Sequence, residues 1–362
     1  MKARLVIIIA GLFFFSCEKY DHRTESIDQL QKDVAGLIRS RTQKIPFTAP
    51  IAWAMIQNGK TVAAYRQGME VPEGNTAVTD QSLFPLASAT KLFTSVMIMK
   101  AFEEGLIQLA AKVSDYIDGL PQIWHNVSIS QLLSHTDGIP DASENEDYKT
   151  LSFEAKEFLS RSAYLDYAGQ LPLIFEPGAQ TRYGQTGYVL LSMILEKIYK
   201  KVYEEIIADK ILVPLGMQNT HFFTYSKTIG TYKPRIFEPG GDGFKQETPR
   251  YVYADYATAG ICTSLSDMIK FICALQKHTL LGATHFKRLY TPVEGMNGFA
   301  LGWEYRYKDG HLMAGHSGGW SVVVMHLPET NATSIFLSSA ADKSVINTGY
   351  QLAEKVLDYT IN

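Results

Sequence analysis

The chain has 362 residues, 46% of them hydrophobic and 20% charged, which is enough for one large globular domain or two and too apolar for a disordered chain. A formal charge of -3 offers no basic footprint for nucleic acid, which is not an expected partner. Its nine histidines and three cysteines form neither His-Glu-x-x-His nor Cys-x-x-Cys, so nothing argues for a metal site and no cofactor is expected.

The N-terminus pairs basic Lys2 and Arg4 with an apolar run from Leu5 to Phe15, followed by Ser16-Cys17. That run is too short to span a bilayer as a stable helix and reads as an export signal. A cysteine after a small residue at the end of such a run resembles a bacterial lipoprotein cleavage site. On that reading residues 1–17 are a lipoprotein signal with Cys17 as the lipidation site, and residues 18–25 are a polar tether. The body of the protein would then sit in the cell envelope, periplasmic or on the outer-membrane surface, held to the membrane through its N-terminal lipid. The alternative is a simple signal cut elsewhere.

Ser26-Ile27-Asp28-Gln29 has capping-box spacing, and Ile27, Leu30, Val34 and Leu37 follow at helical intervals, which predicts an amphipathic helix. Ile51 to Ile56 and Thr61 to Tyr65 read as strands joined by an Asn58-Gly59 hairpin turn. Next comes Phe84 to Gly105. Ser88 stands where a helix N-cap is expected, after Pro85 and ahead of Leu92, Phe93, Val96, Met97 and Phe102 at helical spacing. Ser88 and Lys91 are three apart and share a helix face. A serine hydroxyl is a poor nucleophile until something takes its proton, and a partly desolvated lysine amine beside it can do so. The bland alternative is a capping serine and a surface lysine, and Ser16-Cys17-Glu18-Lys19 fits the same short pattern inside the export signal.

From Leu106 to about Thr224 the signals are mostly helical, broken by polar loops at 136–147 and 176–185, with Val189, Leu190, Met193, Ile194 and Ile198 as an amphipathic set. Tyr225 to Gly243 is rich in glycine and proline and is expected as a long surface loop. In the last third Ala259 to Thr263 reads as a strand and Ser266 to Leu275 as a helix. Phe299 to Tyr307, His311 to His316, Ser321 to Leu327 and Ser334 to Ser338 read as strands, and Ser344 to Tyr359 closes the chain as a helix. Turns at Asp309-Gly310 and Pro328 to Asn331 make the sheet antiparallel. Cys262 in a strand and Cys273 on the apolar face of the next helix are expected as free thiols. The expected fold class is α/β in the α+β sense: an antiparallel sheet flanked by helices, built from residues 26–100 and 225–362, with residues 101–224 inserted as an all-helical domain.

Two further stretches bear on the chemistry: Phe175-Glu176-Pro177-Gly178 followed by Tyr183-Gly184-Gln185, and Gly315-His316-Ser317-Gly318-Gly319. Together with Ser88-Ala89-Thr90-Lys91, in this order and at these distances, they resemble the serine β-lactamase and penicillin-binding-protein family, in its branch of class C β-lactamases, DD-peptidases and related esterases. Ser130 to Gly138, Pro214-Leu215-Gly216-Met217 and Ala259-Gly260 through Asp267 also look like that branch. The resemblance implies a β-lactamase/transpeptidase-like fold with Ser88 as nucleophile, Lys91 and Tyr183 sharing the proton work, and an oxyanion hole made by the backbone N–H groups of Ser88 and Gly319. Which of Lys91 and Tyr183 is the base stays open. It also implies substrate-binding roles for Gln185, His316, Ser317 and Gly318. His316 stands where many relatives carry lysine, so its charge is expected to depend on pH, and a carboxylate-bearing substrate would be held less firmly at alkaline pH. The family's tyrosine motif usually ends in asparagine. Gln185 moves the amide one methylene outward, and ~1 Å of misplacement can cost ~10²-fold in rate.

Gly315-His316-Ser317-Gly318-Gly319 also fits the Gly-x-Ser-x-Gly elbow of α/β-hydrolases, but Ser321 to Val324 is strand-like where that fold needs a helix. The only later histidine is His326, with no acid between it and Ser317. Ser143-Glu144-Asn145 lies in an acidic loop and reads as incidental. The expected function is a monomeric serine hydrolase cleaving an amide or ester (a β-lactam, a D-amino-acid peptide or a small ester) through a Ser88 acyl-enzyme. The alternative is a non-hydrolysing penicillin-binding or sensor-like protein of the same fold.

Overall fold

The computed structural model describes residues 22–42, 50–71, 75–226, 229, 234–240, 243–293, 297–319 and 321–361. The export-signal and lipidation readings, Cys17 included, lie outside the described residues. The strands are β1 (Ile51–Gln57), β2 (Lys60–Gln67), β3 (Leu83–Pro85), β4 (His221–Phe222), β5 (Ile236–Gly240), β6 (Gly243–Glu247), β7 (Ile261–Ser264), β8 (Glu304–Lys308), β9 (His311–Gly318), β10 (Val322–Leu327) and β11 (Ala332–Ser338).

The main sheet has the order β2-β1-β11-β10-β9-β8, antiparallel throughout, and joins the two ends of the chain at the β1–β11 pairing. Period-two alternation sorts its side chains. Trp53, Met55, Val323, Met325 and Phe336 face the N-terminal helix (His22–Thr42) and the C-terminal helix (Lys343–Ile361), packing on Leu30, Val34, Ile38, Leu352 and Val356. Ala52, Ala54, Val322, Val324, Ile335 and Leu337 face the Lys91–Glu103 and Leu265–Gln276 helices. Small residues at 52 and 54 leave room for the latter helix to lie against β1. This second apolar cluster continues without a break into the helical segment, where the Thr186–Tyr199 helix buries Tyr188, Val189, Leu190, Leu191, Ile194 and Leu195.

The local turn signals translate directly. Asn58 (φ 52°) with Gly59 (φ 69°), and Asp309 (φ 52°) with Gly310 (φ 88°), adopt the left-handed pairs that two-residue hairpins need. Cys262 and Cys273 are free thiols, one buried in β7 and one half-buried on the following helix.

Three expectations change. The first helix begins at His22, ahead of its predicted cap, so residues 22–25 of the expected tether are helical; polar residues lower apolar burial without stopping a helix. The expected loop at 225–243 contains β5, which pairs with β6 and is tied to the end of β11 by Phe237 N–H to Ser339 O and Ala341 N–H to Phe237 O. Phe299 to Trp303 is not strand: Gly298 (φ 85°) and Gly302 (φ 109°) bend the chain, and ladder pairing starts only at Glu304.

The small sheet β3-β7-β4 brings the site together. β3 delivers the chain to Ser88, and β7 holds the chain on either side of that serine, by backbone through Leu86 N–H to Ile261 O (2.8 Å) and by side chain through Ile261 N–H to Thr90 Oγ1 (3.2 Å).

Candidate active site

Ser88 sits in a single 3-10 turn, Ala87–Thr90, that runs into the Lys91–Glu103 helix. It is not the predicted N-cap. Leu86 (φ -78°, ψ -20°) takes the cap position of the turn, neither the turn nor the helix has a side-chain cap, and the half-buried serine instead faces a cleft. Ala87 takes φ 46°, a left-handed conformation that costs an L-residue roughly 1–2 kcal/mol and persists only where surrounding contacts hold it.

Lys91, one helical turn on, is wholly buried rather than on the surface. Its Nζ donates to Tyr183 Oη (2.7 Å), Gln185 Oε1 (2.8 Å) and the Thr258 carbonyl (3.2 Å). These are three acceptors for the three protons of an ammonium. The rings of Tyr183 and Tyr188 lie 4.8 and 5.3 Å from Nζ, centroid to atom, and add quadrupole attraction. The longer Gln185 therefore brings its amide carbonyl onto Lys91, and the extra methylene is absorbed. Tyr183 is 38% exposed while Lys91 is sealed, so within this pair only the phenol opens onto the cleft.

The segment carrying Tyr183 and Gln185 is fixed from several sides. Asp141 Oδ1 accepts from Gln185 N (2.7 Å), Thr186 N (2.9 Å) and Thr186 Oγ1 (3.0 Å), a carboxylate at the start of the Thr186–Tyr199 helix where orphan N–H groups and the helix dipole favour one. Arg182 pairs with Glu144 and donates its backbone N–H to His135 O, and Gly184 N–H reaches His135 Nδ1 at 3.3 Å. The His135 ring packs between Tyr183 and Tyr188, with centroids 4.7 and 5.1 Å away. Burial first, and then the Lys91 charge, hold His135 well below the usual histidine range. Asn145, from the incidental Ser143-Glu144-Asn145, accepts from the N–H groups of Asp147 and Tyr148 and so caps a short helix.

The fourth wall is β9. A Cβ on Gly318 would fall 2.0 Å from the Leu86 carbonyl, and one on Gly319 (φ 54°) 2.9 Å from Ala87 Cβ, so these glycines are what let the strand lie against the Ser88 turn. His316 Nδ1 contacts the Ser317 carbonyl at 2.6 Å; a carbonyl only accepts, so Nδ1 carries the hydrogen and the buried Nε2 is an acceptor. Burial first, and then the Lys91 charge, push the His316 pKa down to about 3. The expected pH-dependent charge is thus corrected: this imidazole is neutral across the physiological range, and its charge cannot loosen a carboxylate substrate at alkaline pH.

Ser88, Tyr183, His316, Ser317, Gly318 and Gly319 all line one cleft of about 420 Å³, joined there by Phe299, Glu304 and Ile346. Gln185 is not on its wall and touches the site through Lys91. Sequence reasoning did not single out His135 within its motif, nor Asp141, Thr258, Phe299, Glu304 or Ile346. Their parts arise from the approach of remote segments, and no local pattern marks them.

A family model described as Beta-lactamase matches residues 41–356. Penicillin-binding protein 4* of Bacillus subtilis (strain 168) is 27% identical over 284 residues, 71% of this chain and 61% of that protein. The chain spans about three-fifths of the length of the curated relatives it matches. The crystal structure of D-amino acid amidase from Ochrobactrum anthropi SV3 complexed with D-phenylalanine superposes with a TM-score of 0.77 at 20% identity, covering 91% of this chain and 98% of that one. That of D-stereospecific amidohydrolase from Streptomyces sp. gives 0.72 at 18% identity, covering 88% and 97%. At these identities the two structures show a shared fold.

Proposed function

The chain belongs to the beta-lactamase family, and from that membership we propose that it is a serine hydrolase opening an amide or ester through an acyl-enzyme on Ser88. The observation that carries the reading is the sealed Lys91 ammonium, its protons directed at Tyr183, Gln185 and Thr258, with Tyr183 extending from it into the cleft that Ser88 lines.

With three acceptors around Nζ, Lys91 has no lone pair turned toward Ser88, which favours Tyr183 as the group that moves protons. The reaction starts from the ammonium–phenolate form of the pair. Tyr183 Oη takes the Ser88 proton as Oγ bonds to the carbonyl carbon, and the resulting oxyanion is held by the N–H groups of Ser88 and Gly319, each donor worth ~10²-fold or more. Collapse breaks the carbon–nitrogen or carbon–oxygen bond, and Tyr183 returns the proton to the departing atom. Water then attacks the ester carbon, giving its proton to Tyr183; as the bond from the carbonyl carbon to Ser88 Oγ breaks, Tyr183 passes that proton to Oγ, which releases the acid and restores the Ser88 hydroxyl and the starting form of the pair. Lys91 stays charged throughout and balances the phenol oxygen 2.7 Å away.

Within the amide and ester class, the names of two structural neighbours, D-amino acid amidase and D-stereospecific amidohydrolase, favour an amino-acid-derived amide. The extra methylene of Gln185, which motivated a non-hydrolysing reading, still leaves its amide 2.8 Å from Lys91, and that contact supports the hydrolase reading. The apolar run ending in Ser16-Cys17 supports placing the protein in the cell envelope on a Cys17 lipid.

The test is active-site labelling with a fluorophosphonate, followed by peptide mapping and hydrolysis of D-phenylalanine p-nitroanilide. One adduct per chain on the Ser88 peptide, lost in Ser88→Ala, is expected, together with turnover of the anilide. An adduct on Ser317, or labelling that persists in Ser88→Ala, would overturn the assignment; an acyl-enzyme that forms and never clears would make the protein a sensor.

A further inference from the structure

Glu304 is the one carboxylate among the described residues lining the cleft, and no step of the proposed reaction uses it. β8 sets it opposite Gly315 of β9, which puts its side chain on the same side of the sheet as Ser317. Ser317 Oγ donates to its Oε2 at 3.2 Å, and Tyr350 Oη, from the C-terminal helix, to its Oε1 at 2.9 Å. Both partners are neutral. The nearby cation, Arg306, stands over the Tyr350 ring, 3.7 Å from its centroid; its charge favours the Glu304 carboxylate from a distance, and no ion pair joins the two among the described residues. His316 beside it is neutral. Burial raises the Glu304 carboxyl above the usual range, the mark of a charge taken out of water without full compensation.

A half-buried carboxylate held only by neutral donors carries a desolvation cost that an arriving cation offsets. A carboxylate has about four lone-pair directions, and the Tyr350 hydroxyl with the hydroxyl and backbone N–H of Ser317 leave at least one open. Resting on the reading of this cleft as an acyl-transfer site, we propose that Glu304 sets its specificity, selecting substrates with an ammonium group in the part that lies over Ser317 and rejecting those with a carboxylate there. The apolar walls at Phe299 and Ile346 fit the hydrocarbon part of such a substrate.

The test uses the intact protein and three matched ligands, benzylammonium, benzyl alcohol and benzoate, each titrated for protection of Ser88 against the fluorophosphonate. In the wild type, half-protection by benzylammonium is expected at a concentration about tenfold below that of benzyl alcohol, with benzoate weaker still. Glu304→Gln, which keeps the shape and the hydrogen-bond acceptor, should bring the three within about twofold of one another. Benzoate protecting the wild type as well as benzylammonium does, a measurement that needs no variant, or an undiminished ammonium preference in Glu304→Gln, overturns the proposal. A merely structural strut between β9 and the C-terminal helix would weaken all three ligands alike. If the wild type is not labelled on Ser88 at all, the hydrolase reading itself falls and this proposal with it.

Discussion

A buried ammonium is tolerable when each of its protons has an acceptor, and Lys91 meets that condition with residues from two separate segments, 183–185 and 258. The side chain is therefore a hub: it fixes the phenol that lines the cleft and is itself fixed by Gln185. Gln185→Asn tests the hub. Asparagine is one methylene shorter, and with the backbone held by Asp141 its carbonyl stops about 1 Å or more short of Nζ, leaving a proton without a partner and the phenol less well placed. We expect kcat/KM for an activated ester to fall on the order of 10²-fold, with the urea midpoint lowered modestly. Unchanged kinetics would mean that the Gln185 contact does no positioning. At this scale Ser88, Lys91 and Tyr183 were legible because each carries a short motif, whereas Glu304 and Asp141 carry none and acquire their surroundings only when β9, the C-terminal helix and the Thr186–Tyr199 helix arrive.

Between elements, the decisive contact is β9 against the Ser88 turn. Gly318 has no room for a methyl group, because the obstruction is the Leu86 carbonyl, a backbone atom that cannot rotate away. Gly318→Ala must push strand and turn apart, widening the space between the Ser88 and Gly319 N–H groups that we propose as the oxyanion hole. A fluorophosphonate labelling rate at least ~10²-fold slower is expected from a chain whose circular dichroism is that of the wild type. A variant labelling at the parental rate would show that the strand does not close on the turn. Elements whose cause is local were readable in advance. Asn58-Gly59 and Asp309-Gly310 specify their own backbone, and the hydrophobic periods of β9, β10 and the C-terminal helix were close to the observed ones. The turn at Ser88 reads as a cap in the sequence because Ala87 holds a positive φ that no alanine prefers; β7 on one side and β9 on the other impose it. The β5–β6 hairpin hid behind its own glycines and proline, which argue for a loop until β11 offers Phe237 a partner.

Across the whole molecule, burial shifts several interior histidines and aspartates toward their neutral forms, and the two kinds act on stability with opposite pH dependence. Burial pushes His316 and His326 down to about 3 and His135 well below its ordinary value, while it raises Asp137 to about 7 and Asp255 to about 6. For the histidines the unfolded chain binds the extra protons, so their contribution is fully present above an unfolded pKa of about 6.5 and is lost as pH falls from there toward 3. For the two aspartates the folded chain binds them, so their contribution is fully present below an unfolded pKa of about 3.8 and is lost as pH rises through 6 to 7. The two sets partly cancel over the same window, and the wild-type profile alone would not separate them. His326 makes the separation possible. It lies in β10 away from the cleft, ringed by Phe286, Tyr290 and Trp303, with Nδ1 3.0 Å from Thr333 Oγ1. Glutamine there keeps a polar group for Thr333 and removes the titration. Between pH 7.5 and 5.0 the unfolded histidine gains its proton while the folded one does not, a cost of about 2 kcal/mol that His326→Gln does not bear. Urea unfolding at the two pH values should therefore show a stability loss on acidification smaller by about that amount in the variant than in the wild type, even if the variant starts out weaker. Equal losses would mean that His326 takes up its proton in the folded chain as readily as in the unfolded one, and that the aromatic ring around it admits the charge.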